Sequence, residues 1–181
     1  IPVLMKNGFD KSPFKGSDFG WHPSLGYFYE LCRVSNGSIL ETVEIKVIKG
    51  DRWIQIVLNA FELIPPIKVL NELNGIDGIT FKLPPASSTQ MRIHVDDIKG
   101  IPLLNRAFMS DLHKLKKSFF KPGLKTAAKL LGARVEKDLT NINDYFNRWY
   151  QLHKLQKIIW VGRPEEQLIG EKTKNTNANK T

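Results

Sequence analysis

Three strand-like runs joined by two tight turns lie in residues 27–61, YFYELCRVSNGSILETVEIKVIKGDRWIQIVLNAF. The first turn contains Asn36-Gly37, a pair that accepts the positive φ angles of a type I′ hairpin turn. The second turn contains Gly50, which also favours a reversal of the chain. Runs of β-branched and aromatic residues between such turns predict an antiparallel meander of three strands.

The middle run alternates apolar and polar side chains. Val43, Ile45 and Val47 face one side of the predicted sheet, and the polar residues between them face the other. A sheet with one polar face normally covers its other face with helices. Further strand-like runs at 80–83 and 90–95 raise the predicted sheet to about five strands.

Helical periodicity replaces this alternation after Pro102. The spacing of apolar residues predicts a helix over 103–121, a short helix over 124–131 that ends at Gly132, and a longer helix over 139–159. Strands first and helices last indicate an α+β fold, with about three C-terminal helices packed on one face of an N-terminal antiparallel sheet.

The chain divides into three parts by composition. We predict an irregular arm rich in aromatics, glycine and proline at 1–26, a single α+β domain at 27–162, and a polar, disordered tail at 163–181. A length of 181 residues allows one well-buried core. Its apolar runs are too short to span a bilayer. A single cysteine, Cys32, cannot form an internal disulfide and is compatible with a reducing compartment, so we expect a cytoplasmic location.

Basic charge is concentrated in one stretch of the chain. The formal net charge is +9, and residues 99–137 hold ten Lys and Arg against two acids. Such a surface favours nucleic acid, an anionic membrane or an acidic protein as partner. We predict a non-enzymatic binding or assembly protein, as a monomer or a homo- or hetero-oligomer, that contacts an acidic protein or a nucleic acid. The predicted contact residues are Lys114, Lys117, Lys121, Lys125, Lys129, Arg134 and Lys137.

Residues 126–132, TAAKLLG, resemble the first helix and turn glycine of helix-turn-helix domains. The resemblance implies DNA binding through 124–139, with a second helix in the major groove. Asp138 departs from the pattern, because that family places a buried aliphatic residue about six positions after the glycine.

The tripeptide Glu44-Ile45-Lys46 resembles the E-x-K signature of the restriction-endonuclease superfamily. The resemblance implies a Mg²⁺-dependent nuclease, in which Glu44 and an upstream acid, here Asp18, hold the ion and Lys46 stabilises charge near the attacking water. A charge pair on the solvent face of the sheet explains the same residues without catalysis.

Metal ligation is a further hypothesis for His94, Asp96 and Asp97 at the end of a predicted strand. Alternation can place His94 and Asp96 on one face, but a first-row metal requires a third protein ligand. The other histidines are scattered along the chain: His22, His113 and His153. We therefore predict neither a metal site nor a cofactor.

Aromatic residues accumulate in and after the third predicted helix: Tyr145, Phe146, Trp149, Tyr150 and Trp160. Packing of these side chains on the sheet is one interpretation. An interface with another chain is the other, because aromatics with a basic rim suit protein interfaces.

Overall fold

The structure is a computed structural model that describes residues 1–75, 86–97, 113–115 and 123–160. In these ranges the chain forms an N-terminal, mostly antiparallel sheet followed by C-terminal helices. The predicted α+β fold class is thereby confirmed.

Seven strands form one sheet in the described part of the chain: β1 (Asp10–Lys11), β2 (Phe19–His22), β3 (Gly26–Ser35), β4 (Ile39–Ile48), β5 (Ile54–Ile64), β6 (Met91–Arg92) and β7 (Gln156–Ile159). Strands β3, β4 and β5 form the predicted antiparallel meander at its centre. Strands β1 and β2 both pair with β3, and β6 pairs with β5. Strand β7 is the parallel member, alongside the end of β5.

The hairpin between β3 and β4 turns at the predicted residues. Asn36 and Gly37 adopt positive φ angles of 48° and 75°, but three residues lie between the paired Ser35 and Ile39, so the loop is one residue longer than a two-residue type I′ turn. The last strand pair before the turn joins Ser35 to Ile39. The register that follows places Val43 and Ile45 on the same buried face, which confirms the predicted alternation.

The main core lies between that face of the sheet and the helices. Its fully enclosed members include Leu4, Leu31, Leu58, Ile142, Phe146 and Trp149. The indole Nε1–H of Trp149 donates a hydrogen bond of 2.7 Å to the carbonyl of Thr89, so the largest buried side chain leaves no unpaired donor.

The opposite face of the sheet is partly covered as well. Phe14 and the 3₁₀ helix Leu70–Leu73 pack there against Cys32, Leu40 and Phe61. Burial raises the pKa of the Cys32 thiol to about 12, so almost no reactive thiolate exists near neutral pH. Cys32 is therefore a structural residue.

The helices in the described residues are α1 (Pro2–Lys6), α2 (Leu124–Thr140) and α3 (Ile142–Leu152), with a second 3₁₀ helix at Ala86–Thr89. The predicted helix end at Gly132 is wrong, because α2 continues for two further turns. Leu131, Val135 and Leu139 keep one side of α2 against the protein beyond the glycine, and this packing outweighs the low helix propensity of Gly132.

The predicted end of the last helix at 159 is also wrong. His153 is extended, with φ −125° and ψ 151°, and α3 ends at Leu152. Residues Gln156–Ile159 then form β7, which pairs with Phe61–Ile64 of β5. Pairing with the end of β5 therefore places these residues, which were predicted to be helical, in a strand.

Several sequence-based predictions lie outside the described residues: the helix over 103–121, the strand over 80–83 and the tail over 163–181. The predicted strand over 90–95 is reduced to Met91–Arg92. The predicted arm over 1–26 contains α1, β1 and β2. No helix in the described ranges is long and apolar enough to cross a membrane.

Candidate functional site

Two histidines and an aspartate meet where the sheet approaches α2. His94 Nε2 lies 2.8 Å, and His113 Nε2 lies 2.7 Å, from the same carboxylate oxygen, Oδ2 of Asp138. The hydroxyl of Tyr145 donates to the other oxygen, Oδ1, at 3.0 Å. In the described part of the chain, His94, His113 and Asp138 form the one group of three potential metal-binding side chains whose ligand atoms all lie within 4.8 Å of one another.

His94 belongs to a tight turn that follows β6. Its φ of 64° falls in the left-handed region, which residues with a side chain rarely adopt. The Asp96 carboxylate holds the turn, because it accepts hydrogen bonds from the backbone N–H and the guanidinium of Arg92. The N–H of Ile93 donates to Ile56 in β5. The direction of the His94 imidazole is therefore set by its backbone.

His113 is buried and attached to the start of β5. Its carbonyl accepts a hydrogen bond of 3.0 Å from the N–H of Ile54, and the N–H of Leu115 donates to Arg52 at 2.8 Å. Between them, Lys114 pairs with Trp53 and places its ammonium 5.3 Å from the centre of the indole ring. This local pairing holds the His113 imidazole towards α2.

Asp138 is a charged residue on the inward-facing side of α2. Burial alone would raise its pKa, but hydrogen bonds from His113, His94 and Tyr145 lower the pKa below the ordinary value for aspartate. Burial and the nearby Asp138 raise the pKa of Tyr145, which therefore keeps its proton and acts as a donor. Asp138 is thus an ionised acceptor with three donors around it.

The structure separates the residues that the sequence had grouped with His94. Asp96 pairs with Arg92, and the carbonyl of Asp97 accepts a hydrogen bond from Arg148 of α3. Sequence analysis missed His113 and Asp138 because they are distant along the chain. One signal in the sequence could have indicated Asp138. It lies one turn after Val135 and next to Leu139, on the side of the helix where an aliphatic residue is expected.

The solvent side of α2 is strongly basic. The four exposed cations are Lys125, Lys129, Arg134 and Lys137. In the described part of the chain none of them forms an ion pair. Glu136 is exposed among them, whereas the other acid of α2, Asp138, points to the two histidines. We call this surface the basic face of α2.

The remaining predicted contact residues are not on α2. Lys114 lies against Trp53, and Lys117 and Lys121 lie outside the described residues. The helix-turn-helix resemblance at 124–139 requires a turn at Gly132, but the structure has one uninterrupted helix there. That correction removes the predicted recognition helix.

The two charged residues of the E-x-K tripeptide form an ion pair on β4. The Glu44 carboxylate lies 2.7 Å from the ammonium of Lys46. Glu44 is paired across the ladder with Glu30, whose N–H donates to the carbonyl of Asp18. The backbone of Asp18 is therefore about two strand spacings, about 10 Å, from that of Glu44 across the sheet. The structure accounts for Glu44 and Lys46 as a charge pair, and a nuclease function stays a prediction.

The aromatic residues of α3 serve the core. Phe146 and Trp149 are fully buried, and the hydroxyl of Tyr150 donates to the buried carboxylate of Glu41 at 2.6 Å. The exposed aromatics lie instead on β2 and β3, where Phe19, Trp21 and Tyr27 form a row of ring contacts that includes the partly buried Tyr29. An interface built on aromatics would therefore use β2 and β3 rather than α3.

Comparison with known proteins identifies no relative. No protein-family model matches the sequence, and no curated protein or solved structure is similar enough to count as a match. The arrangement of side chains in the described residues is therefore the ground for a functional proposal.

Proposed function

We propose that this protein is a non-enzymatic binding or assembly protein that contacts an acidic protein or a nucleic acid through the basic face of α2. The observation that carries the proposal is the exposure of Lys125, Lys129, Arg134 and Lys137 on one helix, without ion pairs to other described residues. Cations without an ion pair to these described residues keep their attraction for an external polyanion.

The internal hydrogen bonds of Asp138 support the same proposal. A carboxylate on the solvent side of α2 would partly neutralise its charge, but Asp138 accepts its hydrogen bonds from His94, His113 and Tyr145. Those contacts also attach α2 to the sheet. The basic face is therefore presented by an anchored helix, which loses less conformational freedom on binding than a flexible segment would.

An exposed aromatic row gives a second, weaker support. Trp21 and Tyr27 are about half exposed on β2 and β3, and the Lys11 ammonium lies 5.2 Å from the Phe19 ring centre. Aromatic rings beside cations suit protein interfaces and also stack with unpaired bases.

We also propose a cytoplasmic location, which rests on the single cysteine.

The decisive experiment compares two variants of equal net charge. Four changes on α2, Lys125→Gln, Lys129→Gln, Arg134→Gln and Lys137→Gln, remove the basic face. The matched control carries Lys6→Gln, Lys15→Gln, Lys68→Gln and Lys154→Gln, at exposed cations elsewhere. Fluorescence anisotropy with labelled duplex DNA, single-stranded DNA and RNA, at low and near-physiological salt, measures binding by each protein.

For a nucleic-acid partner we expect the α2 variant to lose affinity and the control to keep most of it. Each lost phosphate contact reduces the slope of log affinity against log salt by about 0.9 on duplex DNA and about 0.7 on single strands. If both variants lose affinity equally, only overall charge matters and the basic face has no special role.

If the partner is an acidic protein, we expect no nucleic-acid binding that survives near-physiological salt. Affinity capture from cells should then recover a partner with the wild-type chain and the control, but not with the α2 variant. Equal recovery by all three proteins would contradict the proposal.

A further inference from the structure

We propose that His94, His113 and Asp138 bind a divalent first-row transition metal ion through two imidazole nitrogens and one carboxylate oxygen. This site is independent of the basic face of α2. Imidazole is a good ligand for zinc, copper, iron and nickel, and carboxylate completes such sets. We name Zn²⁺ as the probe, because it binds nitrogen and oxygen ligands without a strong geometric preference of its own.

The distances between the ligand atoms are close to those of a bound site. The two Nε2 atoms lie 2.7 and 2.8 Å from Oδ2 of Asp138. Around a tetrahedral Zn²⁺ with bonds of about 2.0–2.2 Å, neighbouring ligand atoms are about 3.4 Å apart. Small rotations of three side chains, which open each contact by about 0.6 Å, would therefore admit the ion.

The protonation chemistry is consistent with such an exchange. In the arrangement described, each imidazole donates its Nε2–H to the carboxylate oxygen Oδ2 of Asp138. When the ion binds, each Nε2 offers its lone pair and the imidazole carries its proton on Nδ1 instead. The ion then occupies the position of the two Nε2 protons.

The site is built from separate elements that hold each ligand in place. His94 stands at a left-handed backbone position in a turn that Arg92 and Asp96 brace. His113 is pinned to β5, and Asp138 projects from α2. Unusual backbone conformations such as that of His94 concentrate at functional sites. Ligands supported by regular structure keep the geometry that a metal requires.

In this proposal Tyr145 does not bind the ion but orients the Asp138 carboxylate that does. Its hydroxyl donates to Oδ1 of Asp138 at 3.0 Å and leaves Oδ2 to face the imidazoles. Hydrogen bonds of this kind orient ligating carboxylates and contribute about 10- to 100-fold to metal affinity.

Three protein ligands leave at least one coordination position for another group. A cavity of about 20 Å³ is lined by His94 and His113, together with Trp53 and Arg92. This volume suits one water-sized ligand. The arrangement therefore matches the open, three-ligand type of zinc site more closely than the closed, four-ligand structural type.

The test is calorimetric titration of the tag-free full chain with Zn²⁺ after treatment with a chelator. We expect one ion per chain. His94→Gln and Asp138→Asn should each lower the affinity by more than about 100-fold, and Tyr145→Phe by about 10-fold. His22→Gln is the matched control, because His22 is an exposed histidine on β2, and should bind as the wild type does. Absence of binding by the wild type, or equal binding by all the variants, would overturn the proposal.

A second measurement needs no variant and therefore does not depend on the folding of one. Electron paramagnetic resonance of the wild-type chain loaded with one Cu²⁺ should show coupling to two imidazole nitrogens. Coupling to one nitrogen or none would contradict a site made by His94 and His113. A titration with Mg²⁺ should show no binding, since Mg²⁺ prefers oxygen ligands; preferential binding of Mg²⁺ would also overturn the proposal.

Discussion

Helices α2 and α3 follow each other with one residue between them, yet they differ in how much of their surface is buried. Only Leu131 and Leu139 are buried among the 17 residues of α2, whereas α3 buries Ile142, Phe146 and Trp149 within 11. The short helix therefore stabilises the fold, and the long one presents charge. Length and charge density alone do not indicate which helix a domain depends on, because burial is what contributes most of the stability.

The largest expected effect concerns α3. Trp149→Ala should lower the free energy of unfolding by about 4 kcal/mol, because it empties a fully buried site and removes the hydrogen bond from the indole to the Thr89 carbonyl. Chemical denaturation monitored by circular dichroism measures the change. Asn147→Ala, at an exposed position of the same helix, is the control and should change stability by less than about 0.5 kcal/mol. Similar effects of the two changes would contradict the core role of α3.

A medium effect is expected where α2 touches the core. Leu139→Ala should lower the free energy of unfolding by about 3 kcal/mol, since Leu139 is 4% exposed and packs in the main core. Leu130 is 55% exposed, and Leu130→Ala should cost less than about 0.5 kcal/mol. Equal losses of stability in the two variants would show that the outer side of α2 is covered by another part of the molecule.

The smallest effect has the opposite sign. Gly132→Ala should stabilise the protein by about 0.5–1 kcal/mol, because the glycine is inside α2 and an added Cβ meets no atom within 4 Å. Gly37→Ala is a matched control in the β3–β4 turn, where φ is +75°, and should destabilise the protein by about 1 kcal/mol. Destabilisation by Gly132→Ala would instead support the helix end first predicted at that residue.

The sequence analysis considered His94 as a metal ligand but predicted no metal site. Alternation along a predicted strand grouped His94 with its neighbours Asp96 and Asp97. The structure uses Asp96 to brace the turn and brings in His113 and Asp138 from distant segments. No local pattern records such a meeting, because it depends on how α2 packs on the sheet.

Local sequence determined the meander, its Asn36-Gly37 turn and the buried face of β4, because strand alternation and turn preferences act over a few neighbouring residues. It also determined where basic charge lies along the chain. Tertiary structure alone decided that α2 continues past Gly132 and that residues 156–159 add a strand to β5. In both cases contacts between distant residues outweigh local propensity, which amounts to only about 1 kcal/mol per residue. The meeting of His94, His113 and Asp138 has the same origin.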